Sequence, residues 1–78
     1  MENTKVMFTM KTAREAAGYT QKEAADKIGV SVDTLGNYER GKSYPDVPII
    51  RRIESVYNIP YDRLIFLPLD YDKTVNLV

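Results

Sequence analysis

The stretch GVSVDTLGNYERGKSYPD, Gly29 to Asp46, gathers side chains suited to recognising another molecule by hydrogen bonds. Asn37 carries an amide that both donates and accepts, and Asp33 a carboxylate that only accepts. Arg40, Lys42, Ser43 and Tyr44 follow as donors within a few positions, and Gly36 has no side chain at all. These residues make a recognition set and not a catalytic one. The sequence has no histidine and no cysteine, which removes the commonest general base, the commonest transition-metal ligand and any thiolate site. It has no glycine-rich phosphate loop and no metal-ligand spacing. The expectation is therefore of no enzyme, no metal, no cofactor and no small-molecule substrate.

Caps and glycines mark the elements that must position this stretch. Thr9 before MKTAREAA can cap a first helix, and Gly18 can end it in the left-handed conformation. Met10, Ala13 and Ala17 then share a face. In TQKEAADKIG, Thr20 with Glu23 three residues on is a capping box, Ala24, Ala25 and Ile28 form the apolar face, and Gly29 closes the helix. In SVDTLGNYERG, Ser31 caps, Leu35 and Tyr38 point inward, and Gly41 stops the helix. Pro45 then restricts Tyr44 to an extended conformation. In DVPIIRRIESVYN, Asp46 caps, Pro48 sits in the first turn and Asn58 can close. Ile49, Ile50, Ile53, Val56 and Tyr57 give this fourth helix its apolar stripe. PYDRLIF is expected to add a short fifth helix with Leu64 and Ile65 inside. LPLDYDKTVNLV has no helical period and reads as extended. The pattern is all-α: five helices in one domain over 1–78, with the core in 9–66, a tail over 67–78 and extended ends.

The second and third expected helices are joined only by Gly29, Val30 and Ser31. A turn this short containing glycine is compatible with a helix-turn-helix, although any helical bundle has tight turns. The residues themselves go further. TQKEAADKIGVSVDTLGNYERGKSYP, with Arg14 before it and the isoleucine-rich helix after it, resembles the Cro and phage-repressor type of helix-turn-helix, the XRE family. The resemblance runs from about Met10 to Ile65, with Tyr19 where the family usually has Leu and Gly36 where it usually has Ser. It implies a lambda-repressor-like DNA-binding fold whose third helix enters the major groove of double-stranded DNA with its first turns facing the base edges.

Carried over residue by residue, the resemblance makes Val32, Asp33, Gly36 and Asn37 the candidate base contacts. Asn37 suits adenine, since an amide can serve N6 and N7 together, or it is a solvated surface amide. Val32 suits a thymine methyl or is simply a helix residue. Asp33 suits cytosine N4, or else serves the helix dipole from the first turn. Gly36 allows close approach to DNA or avoids a clash with a neighbouring helix. Thr20, Gln21, Thr34, Arg40, Lys42 and Ser43 fall where the family grips phosphates, Tyr44 adds a hydroxyl, and solvation is the alternative for each cation. Arg14 and Glu39 fall where the family has a partly buried salt bridge between the first and third helices, which fixes orientation more than it adds stability.

Composition bounds the rest. Seventy-eight residues, 44% apolar, make an ordinary small globular domain. No apolar run approaches the roughly 20 residues that span a bilayer, and MENTKVMFT lacks a signal-peptide pattern, so a cytoplasmic protein with no membrane partner is expected. Eleven basic residues balance eleven acidic ones, which implies modest non-specific affinity for DNA. A homodimer on a two-fold operator would make up for that weakness. Leu64, Phe66, Leu67, Leu69 and Tyr71 form an apolar cluster for dimer contacts, unless they fold onto the domain's own core. The functional expectation is a small phage-type or Cro-like transcriptional regulator, the alternative being an antitoxin-like or other protein-interaction module on the same fold.

Overall fold

A computed structural model describes residues 6–67. Four α-helices form among these residues: α1 (Met10–Ala17), α2 (Gln21–Ile28), α3 (Val32–Arg40) and α4 (Val47–Tyr57). Two short strands, β1 (Phe8–Thr9) and β2 (Leu64–Ile65), pair in parallel, with Phe8 opposite Leu64 and Thr9 opposite Ile65.

The side chains that start each helix are the ones the sequence offers. Thr20 accepts from the Glu23 N–H at 3.1 Å while the Glu23 carboxylate accepts from the Thr20 N–H at 2.8 Å, so two otherwise orphaned donors are satisfied. Ser31 accepts from the Thr34 N–H at 3.0 Å and Asp46 from the Ile49 N–H at 3.1 Å. Thr9 caps α1 and shares a reciprocal pair of bonds with Thr12. Asn58 closes α4 at φ 57°, the one non-glycine residue among those described that takes a positive φ. Gly29 is required by its backbone conformation and is in close contact besides. Its φ is 92°, and a β-carbon there would lie 3.1 Å from Arg52 Nη1, the group that donates to the Ile28 carbonyl at the end of α2.

The expected fifth helix is absent. PYDRLIF forms a single 3-10 turn, Tyr61–Arg63, closed by the Arg63 N–H on the Pro60 carbonyl at 2.9 Å. A segment this short gains little from helix propagation. The chain turns extended at Leu64, and β1 supplies the backbone partner that a helix would have supplied internally. Leu64 is buried, but Ile65 is 42% exposed and lies outside the core where it was expected within it.

The core is built around Met10, Ile28, Leu35 and Ile53, with Ala13, Ala24 and Ala25 fully enclosed between helices. α2 packs on both α3 and α4, and α1 packs on α4 and α3. Small residues at these crossings let the backbones approach closely. Tyr19, where leucine is usual, is half-buried: its ring lies 6.4 Å from that of Tyr57, with Lys27 Nζ 5.5 Å above its centroid. Tyr57 is buried, and its hydroxyl has no hydrogen-bond partner among the described residues. Burial and the nearby Glu39 carboxylate push the Tyr57 phenol well above its ordinary range, with Arg14 opposing.

This phenol makes the fold sensitive to alkali. Its folded-state pKa is raised, so its contribution is complete below the unfolded value near 10 and is lost as pH climbs past it. Tyr57→Phe removes both the titration and a buried hydroxyl that lacks a partner among the described residues. The variant is expected to match or exceed the parent's stability at pH 8, by up to about 1 kcal/mol, and to lose less between pH 8 and pH 11. Urea unfolding at the two pH values checks this, and equal losses in both proteins would contradict it.

Candidate nucleic-acid interface

The candidate surface is made by α2, the turn after it, and α3. α2 ends on Gly29, whose N–H donates to the Ala25 carbonyl at 2.8 Å, and Val30 donates to the same carbonyl at 3.0 Å. Ser31 is extended and caps α3, so three residues redirect the chain between two helices. The hydroxyls of Ser31 and Thr34 bond to each other at 2.9 Å.

α3 turns Leu35 and Tyr38 into the core. Residues 33, 36, 37 and 40 recur at spacings of three and four, so they share the other face. Val32 is 38% exposed beside this face, Asp33 and Arg40 are exposed, and Asn37 is half-buried. The four sequence-predicted base contacts therefore fall together along one side of one helix. Asp33 is in the first turn of α3, where the helix dipole favours a carboxylate. Gly36 does not relieve a clash between helices. The three atoms nearest a β-carbon built there all belong to Arg40, the closest at 3.1 Å.

Glu39 holds α3 in place. Its carboxylate accepts from Arg14 Nε at 2.7 Å and from Arg14 Nη2 at 3.3 Å. It also accepts from Gln21 Nε2 at 3.0 Å. Arg14 Nη1 donates to the Tyr19 carbonyl at 2.9 Å, so every guanidinium nitrogen of Arg14 has a partner. The hydrogen bond that Arg14 donates to Glu39 raises the Arg14 pKa, against the opposing effect of burial, and the arginine stays charged. Both charged side chains are nearly enclosed, at 11% and 5% exposure. Neither is directed outward from the α3 face.

The predicted phosphate contacts are distributed unevenly. Thr20 and Gln21 sit at the start of α2, where Thr20 is occupied by capping and the Gln21 amide N–H by Glu39. Thr34 is tied to Ser31. Lys42 follows Gly41 and donates its backbone N–H to the Asn37 carbonyl at 2.9 Å, leaving its side chain exposed. Ser43 is half-buried. Arg40 Nη2 donates to Asn37 Oδ1 at 2.8 Å, a pairing that the sequence reading missed although the spacing of three residues was available to suggest it. The Tyr44 hydroxyl donates to the Leu67 carbonyl at 2.7 Å, and its ring meets Phe66 edge-on at 6.4 Å. Tyr44 thus joins an aromatic group with Phe66 and Tyr61 on the C-terminal side of the domain.

Of the predicted dimer contacts, Leu64 is in the domain's own core and Phe66 packs against that core. Leu67 is half-buried. Leu69 and Tyr71 lie outside the described residues. Among the described residues, no cluster of three or more acidic side chains could hold a metal ion, and no helix is long and apolar enough to cross a membrane.

Two short helices joined by a three-residue turn, the second presenting a polar face while its inner face is clamped to the bundle, define a helix-turn-helix protein. The chain belongs to the helix-turn-helix family, whose profile matches residues 10–64. It is 43% identical over 56 residues to the HTH-type transcriptional regulator ImmR of Bacillus subtilis, a match covering 72% of this chain and 44% of that protein. It is also 43% identical over 51 residues to the uncharacterized HTH-type transcriptional regulator YazB of B. subtilis, covering 65% of this chain and 74% of that one. The SPbeta prophage-derived uncharacterized HTH-type transcriptional regulator YonR of the same organism is 29% identical over 70 residues, covering 86% of this chain and 65% of that protein. The chain thus spans less than half of ImmR and about two thirds of YonR.

The Glu39 cluster makes a quantitative expectation. Glu39→Ala leaves Arg14 charged, enclosed and short of its carboxylate partner, and is expected to lower stability by about 3 kcal/mol. In a double-mutant cycle with Arg14→Ala the coupling is expected to exceed about 1 kcal/mol. Additive losses, measured by denaturant unfolding, would mean that the ion pair does not stabilise the domain.

Proposed function

We propose that this domain is the DNA-reading part of a sequence-specific transcriptional regulator of the small, Cro-like repressor type carried by phages and mobile elements. The observation that carries the reading is the exposed side of α3. It aligns hydrogen-bonding groups of three kinds, at Asp33, Asn37 and Arg40, on a helix whose opposite side is fixed by Glu39. A helix of this width fits the major groove, where each base pair shows a distinct pattern of donors and acceptors. The names of the relatives, all HTH-type transcriptional regulators and one of them prophage-derived, support it.

In this reading α3 lies in the groove with Val32, Asp33, Gly36 and Asn37 nearest the bases. The start of α2 at Thr20 and Gln21 faces one phosphate run, where helix N-terminal N–H groups add to side-chain donors. Thr34, Lys42 and Ser43 face another. A neutral domain with few phosphate contacts binds weakly alone, so the working form is a homodimer on a two-fold operator in the cytoplasm. Phe66 and Leu67, at the C-terminal end of the described residues, are the dimer contacts that the fold leaves only partly buried.

Selection from random duplex DNA tests the reading. Enrichment of a two-fold site is expected, with half-sites about 10 base pairs apart or a multiple of that. No enrichment by folded protein at micromolar concentration would sink it. Lys42→Ala is expected to weaken all sequences alike and to reduce the slope of log affinity against log salt by about 1. A changed sequence preference in that variant would move Lys42 from the phosphates to the bases.

A further inference from the structure

Arg40 does not run outward from the C-terminal end of α3. Its side chain folds back one turn along the exposed face, as helical side chains lean toward the N-terminus. Nη2 donates to Asn37 Oδ1 at 2.8 Å, and Nη1 lies 3.1 Å from where a β-carbon on Gly36 would be. Glycine inside a helix is disfavoured, and here Arg40 lies against the bare backbone, closely enough that a β-carbon would displace its guanidinium by a few tenths of an ångström.

We propose that Arg40 is a base-reading residue that recognises guanine in the major groove, with Gly36 as the notch that admits its guanidinium and Asn37 as the clamp that orients it. The proposal rests on α3 being the recognition helix, and it reassigns Arg40 from the phosphate backbone to the base edges. Three observations carry it. The guanidinium lies on the stripe shared by Asp33, Gly36 and Asn37, which is the stripe that faces base edges when α3 occupies the groove. One N–H is held by Asn37 and the rest of the planar fork has no hydrogen-bond partner among the described residues, which suits guanine O6 and N7, the acceptor pair that arginine matches in a bidentate manner. A side chain already fixed by a hydrogen bond and a backbone notch loses less rotamer freedom on binding than an extended one. Asn37 takes a different role as a result. One lone pair of its Oδ1 is engaged by Arg40, which makes it a positioning residue acting through that side chain.

The test is selection from random duplexes with the full chain, comparing the parent with Arg40→Ala, Asn37→Ala and Asn37→Asp. Arg40→Ala is expected to erase the preference for guanine at one position of each half-site, a loss of about ten- to a hundred-fold in discrimination, while other positions keep theirs. Asn37→Ala is expected to weaken the same position. Asn37→Asp keeps the acceptor for Arg40 and is expected to retain the guanine, with lower affinity overall because a negative charge is added. A uniform fall in affinity for Arg40→Ala, with every preference kept and the salt slope reduced by about 1, would make Arg40 a phosphate contact and overturn the proposal. Loss of an adenine preference in both Asn37 variants, with the guanine unchanged, would overturn the clamp. A parent protein that enriches no sequence would overturn the recognition-helix reading and this inference with it.

Discussion

One carboxylate fixes the geometry on which recognition depends. Glu39, on α3, accepts hydrogen bonds from Arg14 on α1 and from Gln21 on α2. Arg14 also holds the Tyr19 carbonyl in the connection between those helices. Three helices and a loop thus meet at one nearly enclosed charge pair. Hydrophobic burial alone would let α3 rotate or slide by a few degrees at small penalty, because apolar contact is non-directional. An arginine fork on a carboxylate has a narrow range of good geometries. The pair therefore specifies the angle of α3 more than it deepens the energy minimum, and under the proposed reading that angle decides which side chains meet a base edge.

The rest of the domain is arranged to let that pair form. Ala13, Ala24 and Ala25 at the helix crossings bring the backbones close, and larger side chains there would hold the helices apart. α2 and α3 are eight and nine residues long, too short to be stable on their own. Each relies on a side-chain cap at its start and a left-handed residue at its end, which satisfy part of its terminal N–H and carbonyl groups within the domain. Arg52 extends the same economy from α4, reaching the Ile28 carbonyl across the space kept open by Gly29. Tyr19 and Tyr57 fill the volume beside Arg14 and Glu39 with aromatic surface, and Lys27 lies over the outer ring. The Tyr57 hydroxyl beside that charge pair is buried without a partner among the described residues.

How much of this was legible in the sequence follows from whether the relevant signal is local. The four α-helices could be read to the residue because Thr9, Thr20, Ser31 and Asp46 cap them and Gly18, Gly29, Gly41 and Asn58 end them. The 3-10 turn at Tyr61–Arg63 was misread as a helix. Pro60 and the apolar pair Leu64–Ile65 fit a helical start, and nothing nearby reveals that β1 waits to pair. Strands of two residues carry no period, so that pairing is visible only in three dimensions. The candidate site divides the same way. The common face of residues 32, 33, 36 and 37 follows from helical spacing. The engagement of Gln21 by Glu39, eighteen residues on, and of Tyr44 by Leu67, twenty-three on, depends on tertiary approach.

The neutral overall charge bears on how such a surface discriminates. Sequence-independent affinity for DNA comes mainly from cations released as phosphates are neutralised. A chain with eleven basic and eleven acidic residues has little of that to draw on, beyond local donors such as Lys42. Its exposed α3 face carries one acid and one base, Asp33 and Arg40, which nearly cancel at the range of a phosphate run but not at hydrogen-bond distance from a base. A carboxylate suits the cytosine amino group and a guanidinium suits the guanine acceptors. Set against a mismatched pair, each charge is left desolvated without a partner, which is the most severe form of rejection available to a short helix. A face of this kind adds little to binding at random sites and much to the difference between sites. Under the proposed reading, low net charge and charged readers are complementary features of one surface, and weak binding at random sites is what lets that difference show.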